Sequence, residues 1–453
     1  MMKKCLIAVC ALLLLFPTIA FADDPSATTL NMGLNALWVM LAGILVLLMQ
    51  GGFILLEAGS TRMKNAGHVA GKTIFTLGLG SIVYWAVGYG ISFGGDASEA
   101  LNKFMGLGSF FFDPAVASAD GSTPTTLFFI FQLAFAAVSL SIAWGGFAER
   151  AKLSSYLIFT LFFISIIYPV IAHWIWGGGW LAKDGAQDFA GSTVVHLTGA
   201  IGALAATILL KPRIGKFNKD GSANGILGHN QVFTALAVLL LWIGWFGFNA
   251  GSTVAVGDGF FGYVAFNTQL GAAAGAVAAL LISWLVTGKA DITAMLNGAL
   301  AGLVAITASC AFVVPWAAVV IGLVAGVLVF FSAKFFEKIK VDDPIFALSV
   351  HGAAGVWGTL ANGLFATEQL AGKVGVGQAG LFYGGGWHQL GVQALSVAVC
   401  GAFAFAASFI VLWVVKQAIG FRVTEEQEII GLDLSEHGNY GYPEQMKKAG
   451  TSA

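Results

Sequence analysis

The chain has 453 residues, of which 58% are hydrophobic and 10% charged, with a formal net charge of -1. Water-soluble domains carry roughly a quarter charged residues, so most of this chain cannot face water. The charge balance also excludes the basic surface that nucleic acid requires and the acidic excess that suits a cationic partner.

At the start, Lys3 and Lys4 precede an apolar run from Cys5 to Phe16, followed by Ala20, Phe21, Ala22 and Asp23. This pattern predicts a cleaved signal peptide over 1–22. An uncleaved first helix is the alternative, but the run is shorter than the ~20 residues that cross a bilayer. Apolar segments long enough to cross follow near 34–57, 70–93, 126–147, 153–174, 191–210, 230–249, 260–287, 294–310, 312–333, 346–366 and 390–418. The prediction is an all-α polytopic membrane protein of about eleven helices. The 60 glycines supply small side chains for close helix packing. Cys310 and Cys400 lie in apolar context and read as buried structural thiols.

Basic residues collect in alternate connections: Arg62, Lys64 and Lys72, then Arg150 and Lys152, then Lys211, Arg213, Lys216 and Lys219, then Lys289, then Lys334, Lys338 and Lys340. The positive-inside rule therefore predicts an external mature N-terminus, a membrane domain over 23–418 and a cytoplasmic tail over 419–453.

The two halves share a spacing. His196 follows Asp188 by eight positions and His351 follows Asp343 by eight, each on an apolar segment. With the predicted topology these segments enter from opposite faces, which makes them antiparallel equivalents in a 5+5 inverted repeat around a central pore. Eight residues of helix rise ~12 Å, so from either face of a ~30 Å core the two histidines reach nearly the same depth. Inverted halves with a site at the midplane are a recurring transporter plan. Either histidine alone could be a satisfied structural residue; the shared pattern favours a lined path, since ionisable groups in spanning helices commonly mark one. No Cys or carboxylate at ligand spacing accompanies them, so neither a metal nor a cofactor is expected.

Aromatic residues gather at the predicted outer end. Phe131 and Phe135 are four apart on the third segment, Trp176 precedes three glycines, and Trp245, Phe248 and Ser252 share one helix face. Aromatic faces attract a cation, and a hydroxyl can accept a hydrogen bond from it. The competing reading is an interfacial aromatic belt. Asp188 is the nearest acid, either a distant stabiliser of a cation or a helix cap, and Asp343 reads as the matching inner cap.

These residues carry a resemblance to the ammonium transporters of the Amt/Mep/Rh superfamily, bacterial Amt type, along nearly the whole chain. The match rests on Phe131-Gln-Leu-Ala-Phe135, Ala148-Glu149-Arg150, Trp176-Gly-Gly-Gly, Asp188 through His196, Trp245 through Ser252, Asp342-Asp343-Pro344 through His351, and the tail from Glu425 to Asp433. The resemblance implies an external ammonium recruitment site of Phe135, Trp176 and Ser252, a gate of Phe135 and Phe248 with Phe131 beside it, and a pore lined by His196 and His351, with Asp188 and Asp343 in support. It further implies a homotrimer in the bacterial inner membrane and a PII-family regulatory protein docking on the cytoplasmic face. Thr424, Ile429 and Asn439 depart from the family's usual Pro, basic and acidic residues, which weakens the implication of PII control but not that of the pore.

Magnitudes suggest how ammonium could cross. Cation–π contacts give ~0.5–2 kcal/mol each, while a charge at a helix centre costs ~2.5–3.5 kcal/mol on lenient scales. Rim contacts can hold the ion but do not carry it through an apolar pore. The expectation is recruitment of the ion, loss of its proton beyond the gate, and passage of neutral ammonia past the histidines, with the proton's own route left open. A sensor that binds ammonium and signals through its tail is the alternative. An intramembrane enzyme is disfavoured because the histidines have no nucleophile beside them.

Overall fold

The structure is a computed structural model describing residues 27–95, 98–114 and 124–443, so the predicted signal peptide lies outside the described residues. Among the described residues, ten helices are long and apolar enough to cross a membrane: α1 (Thr28–Ser60), α2 (Met63–Phe93), α3 (Thr125–Trp144), α4 (Leu153–Lys183), α5 (Ser192–Leu210), α6 (Gln231–Thr253), α7 (Phe260–Thr287), α8 (Ile292–Ser309), α9 (Pro315–Lys338) and α11 (His388–Ala418). Between α9 and α11, a π-helical turn over Leu348–Ala353 runs into a helix over Ala354–Phe365, together called α10. Its place in the chain is that of the span expected over 346–366, but His351, Asn362 and four glycines dilute its apolar character, and it is not among the ten. No β-strand occurs among the described residues.

Helices pair as an internal repeat requires. α3 packs on α1 and α5, as α8 packs on α6 and α10, while α1 lies along α6. The π-helical start of α5 touches the later part of α10, and the start of α10 touches the later part of α5, so the two run antiparallel. α11 packs across both. Large apolar side chains such as Leu37, Ile74, Leu239, Leu285 and Ile410 are exposed on the outside of the bundle, which suits lipid rather than water.

Glycine sets the spacing of α7, α8 and α9. A Cβ on Gly302 would lie 2.3 Å from Gly271 O, and one on Gly326 2.3 Å from Gly275 O. The backbones therefore touch directly, as small residues permit in membrane bundles.

The end of the bundle nearest the C-terminal segment holds its charges in pairs. Arg213 bridges Glu149 and Asp342, the latter through Nη2 and Oδ1 at 2.8 Å. Glu149 also accepts hydrogen bonds from Arg62 Nε at 2.8 Å and Asn65 Nδ2 at 2.8 Å. Burial would raise the Glu149 carboxyl, but Arg213 and Arg62 outweigh it and bring it to about 2. Asp342 also lies at about 2, where Arg213 and Arg150 overcome the same burial.

The segment after α11 folds back onto this network. In α12 (Glu425–Ile430), the Thr424 side chain accepts from the Gln427 N–H while Gln427 accepts from the Thr424 N–H, a reciprocal cap. A proline at 424 would have no N–H to give. Buried Glu428 pairs with Arg422 at 2.7 Å and accepts from Ile214 N at 2.8 Å. From α13 (Leu432–His437), Asp433 accepts the N–H groups of Gly67 and His68 at 3.0 and 2.7 Å, in the first α-helical turn of α2. Glu436 accepts the Leu153 N–H at 2.9 Å, at the start of α4. Two carboxylates of this segment thus cap membrane helices far away in the chain.

Candidate functional site

A file of rings runs through the middle of the bundle. Half-buried Trp176 meets Phe135 edge-on at 5.9 Å between centroids, and Phe135 stacks on Phe248 at 4.1 Å and 14°. Phe131 packs beside Phe135 at 4.6 Å. Phe248 lies 5.4 Å from the His196 ring, whose plane is within 12° of that of His351 at 5.2 Å between centroids. Beyond His351 comes Phe53, 6.5 Å away.

The two histidines approach through like atoms, Nδ1 to Nδ1 at 3.2 Å, and both are buried. A neutral imidazole has one N–H. For this contact to be a hydrogen bond, one ring carries its proton on Nδ1 and the other on Nε2. The pair then offers the file one Nε2 acceptor and one Nε2–H donor. His196 Nε2 is buried and has no hydrogen-bond partner within the protein.

Both histidines sit in π-helical turns, over Ser192–Leu197 and Leu348–Ala353. The reading of eight helical residues from aspartate to histidine is therefore corrected. Gly191 stands before the first turn with φ +111, a left-handed conformation that favours glycine, and the helix starts only at Ser192. The aspartates serve these turns. Asp188 accepts from the N–H groups of Gly191, Thr193 and Val194 at 2.9–3.0 Å, and Asp343 from Ala347 and Leu348 at 2.9 and 2.8 Å. These are the bonds of a cap, and they leave each carboxylate committed to backbone. Asp188 also fixes Trp176, because its carbonyl accepts the Trp176 indole N–H at 2.7 Å.

Ser252 is half-buried and donates to Phe248 O at 2.7 Å, which leaves its oxygen free to accept. Three features escape the sequence reading. Trp245 stacks on His196 at 5.0 Å and 14° and is fixed by its N–H to Thr307 Oγ1 at 2.7 Å; its spacing to Phe248 placed it on the right face. The hydroxyls of Thr193 and Thr359 meet at 2.7 Å where α5 crosses α10, a pairing that no local pattern announces. A cavity of about 470 Å³ opens at the far end of the file, lined by Ser60, Thr234, Asp343, Phe346 and Ser349 among others. The Ser349 hydroxyl is buried without a protein partner.

The chain is similar to known proteins over nearly its full length. It is 42% identical to the protein named ammonium transporter Amt2 of Archaeoglobus fulgidus, covering 98% of this chain and 96% of that one. It is 36% identical to the ammonium transporter of Bacillus subtilis, covering 91% and 99%. Among solved structures, one titled Sensor Amt Protein superposes with a TM-score of 0.83 at 37% identity, covering 90% of this chain and 99% of that one. Mep2 of Candida albicans superposes with a TM-score of 0.80 at 30% identity, covering 90% of each. The model of the Ammonium Transporter Family matches residues 37–442. With that match across a helical bundle built as an inverted repeat, the chain belongs to the Ammonium Transporter Family.

Proposed function

We propose that the protein transports ammonium across the bacterial inner membrane, capturing the ion at Trp176, Phe135 and Ser252 and passing neutral ammonia along the file past His196 and His351. The observation that carries this reading is the His196–His351 contact inside a file of aromatic rings with no charged side chain in it. Trp176 and Phe135 offer ring faces and Ser252 an acceptor, which suits a small cation whose every hydrogen can donate. The stacked Phe135 and Phe248 close the path to anything larger than a ring flip admits. Beyond them the nearest carboxylates are occupied by backbone, so nothing offsets the cost of a bare charge. The ion therefore sheds its proton beyond the gate, the proton leaving by a route separate from the file, and ammonia exchanges hydrogen bonds with one imidazole Nε2 and then the other as it passes. The 1–22 signal peptide, the 23–418 transport domain and the 419–453 cytoplasmic regulatory tail complete this reading, together with a homotrimer holding one pore per subunit. A PII-family protein docking at the cytoplasmic face is part of the same reading, though the departures at Thr424, Ile429 and Asn439 leave it the least supported part.

Current recording on the reconstituted protein in a solid-supported bilayer, with ammonium pulses against potassium, tests the proposal. An ammonium response that disappears in His196→Ala while the oligomer persists supports it; unchanged selectivity over potassium in that variant overturns it. The second reading, an ammonium sensor with little flux, draws on the neighbour titled Sensor Amt Protein and on the interlocked tail. Absence of any response, electrical or in a parallel pH-dye assay, favours the sensor.

A further inference from the structure

The cavity of about 470 Å³ beyond the file has exposed Leu227 and Gly228 at its border, where it meets the surface, and buried Ser349 in its wall. Ser349 stands two positions before His351 in the same π-helical turn and is the lining residue nearest to it along the chain. Among the described residues, its hydroxyl is the one buried side-chain polar atom of the cavity wall without a hydrogen-bond partner in the protein. Hydroxyls in these helices ordinarily donate to the carbonyl one turn back: Thr73 to Val69 at 3.0 Å, Thr160 to Tyr156 at 2.7 Å and Thr207 to Ala203 at 2.8 Å. Ser349 lacks that outlet. Four positions back is Ile345, in the turn before the helix, and the next residue, Phe346, has φ +62, so the carbonyls behind Ser349 are not stacked as in a continuous helix. The backbone around it is also fixed, because Asp343 holds the N–H groups of Ala347 and Leu348, and Phe346 O accepts the Val350 N–H at 2.9 Å. A buried hydroxyl left unmet is costly, so the position calls for a guest.

We propose that Ser349 is the exit residue of the file, its hydroxyl hydrogen-bonding neutral ammonia that leaves His351 for the cavity. This assignment rests on the transport reading above. A hydroxyl both donates and accepts, and rotation about χ1 moves it among three staggered positions, so it can meet either the lone pair or an N–H of ammonia. The walls give no comparable hold on the charged ion. Each of the three carboxylates bordering the cavity is engaged: Asp343 by the backbone of its own turn, Asp291 by the N–H groups of Thr293 and Ala294 at 2.8 and 3.3 Å, and Glu337 by Lys216 at 2.6 Å. Arg213 and Lys334 add positive charge to the same walls. A cation therefore gains little there, whereas a neutral guest needs only the hydroxyl.

The full chain in right-side-out and inside-out membrane vesicles, given ammonium pulses at fixed pH and followed with a pH dye, tests the assignment. In Ser349→Ala the half-saturating ammonium concentration is expected to rise about two- to tenfold, the scale of one neutral hydrogen bond, when ammonium is offered at the cavity face. Offered at the Trp176 face, it should stay at the wild-type value. The unfolding midpoint of the variant in detergent should not fall, since no hydrogen bond within the protein is lost. A lowered midpoint, or an equal shift from both faces, makes the hydroxyl a structural group and overturns the assignment. No shift at the cavity face, in vesicles that do respond to ammonium, leaves the hydroxyl to water and overturns the assignment alone. Wild-type vesicles without any ammonium response overturn the transport reading and this assignment with it.

Discussion

The two ends of the bundle solve opposite problems. At the tail end, buried Arg213, Glu149 and Asp342 and half-buried Arg62 are joined in ion pairs, so each of these four charges is already answered by another. Along the ring file no side chain is charged, each ring packs against the next, and His196 Nε2 is left without a partner. Charge used for architecture is consumed by it, whereas an unanswered polar atom in an apolar corridor is available to a guest. The comparison separates stability from transport, and substitutions at the two ends should separate in the same way.

The largest effect is expected from Arg213→Ala, which leaves Glu149 and Asp342 buried and unpaired. Removing one member of a buried pair costs ~3–5 kcal/mol, so thermal unfolding in detergent should show a marked fall in midpoint or no folded protein. His196→Ala should do the reverse, abolishing ammonium selectivity in current recordings with the unfolding midpoint nearly unchanged. If both variants lose stability equally, the division between the ends is wrong.

Acid should discriminate next. Glu149 and Asp342 are held at about 2, below their unfolded values, so their stabilisation is complete above roughly pH 5 and is lost as pH falls from about 4 through about 2. Unfolding followed over that window should show the tail end loosening, with proteolysis after α11 appearing before any change in the helical signal. The smallest effects belong to the rim. Trp176→Ala should raise the KM by about 2- to 30-fold, following ~0.5–2 kcal/mol for a cation–π contact, and Ser252→Ala by less.

Much of this was legible in the sequence, and the exceptions share a cause. The spans follow from long apolar runs, and the pairing of His196 with His351 follows from the repeated aspartate spacing. The span at α10 reads less plainly because a helix surrounded by protein needs no apolar face for lipid; His351, Asn362 and its glycines are affordable there. The π-helical turns at the two histidines were invisible because nothing in residue type marks the wider backbone turn, nor the several backbone N–H groups that Asp188 and Asp343 gather there. Trp245 was placed on the right face but not against His196, since stacking is decided by α6 and α5 together. The Thr193–Thr359 contact and the far cavity likewise belong to pairs of helices and to no single segment.

The caps supplied by Asp433 and Glu436 carry a consequence for biosynthesis. α2 meets the carboxylate that closes its first turn 365 residues later in the chain, and α4 waits 283 residues for its own. A ribosome therefore delivers both helices with their leading amides bare, and the bundle is not sealed until the chain has been made through Glu436.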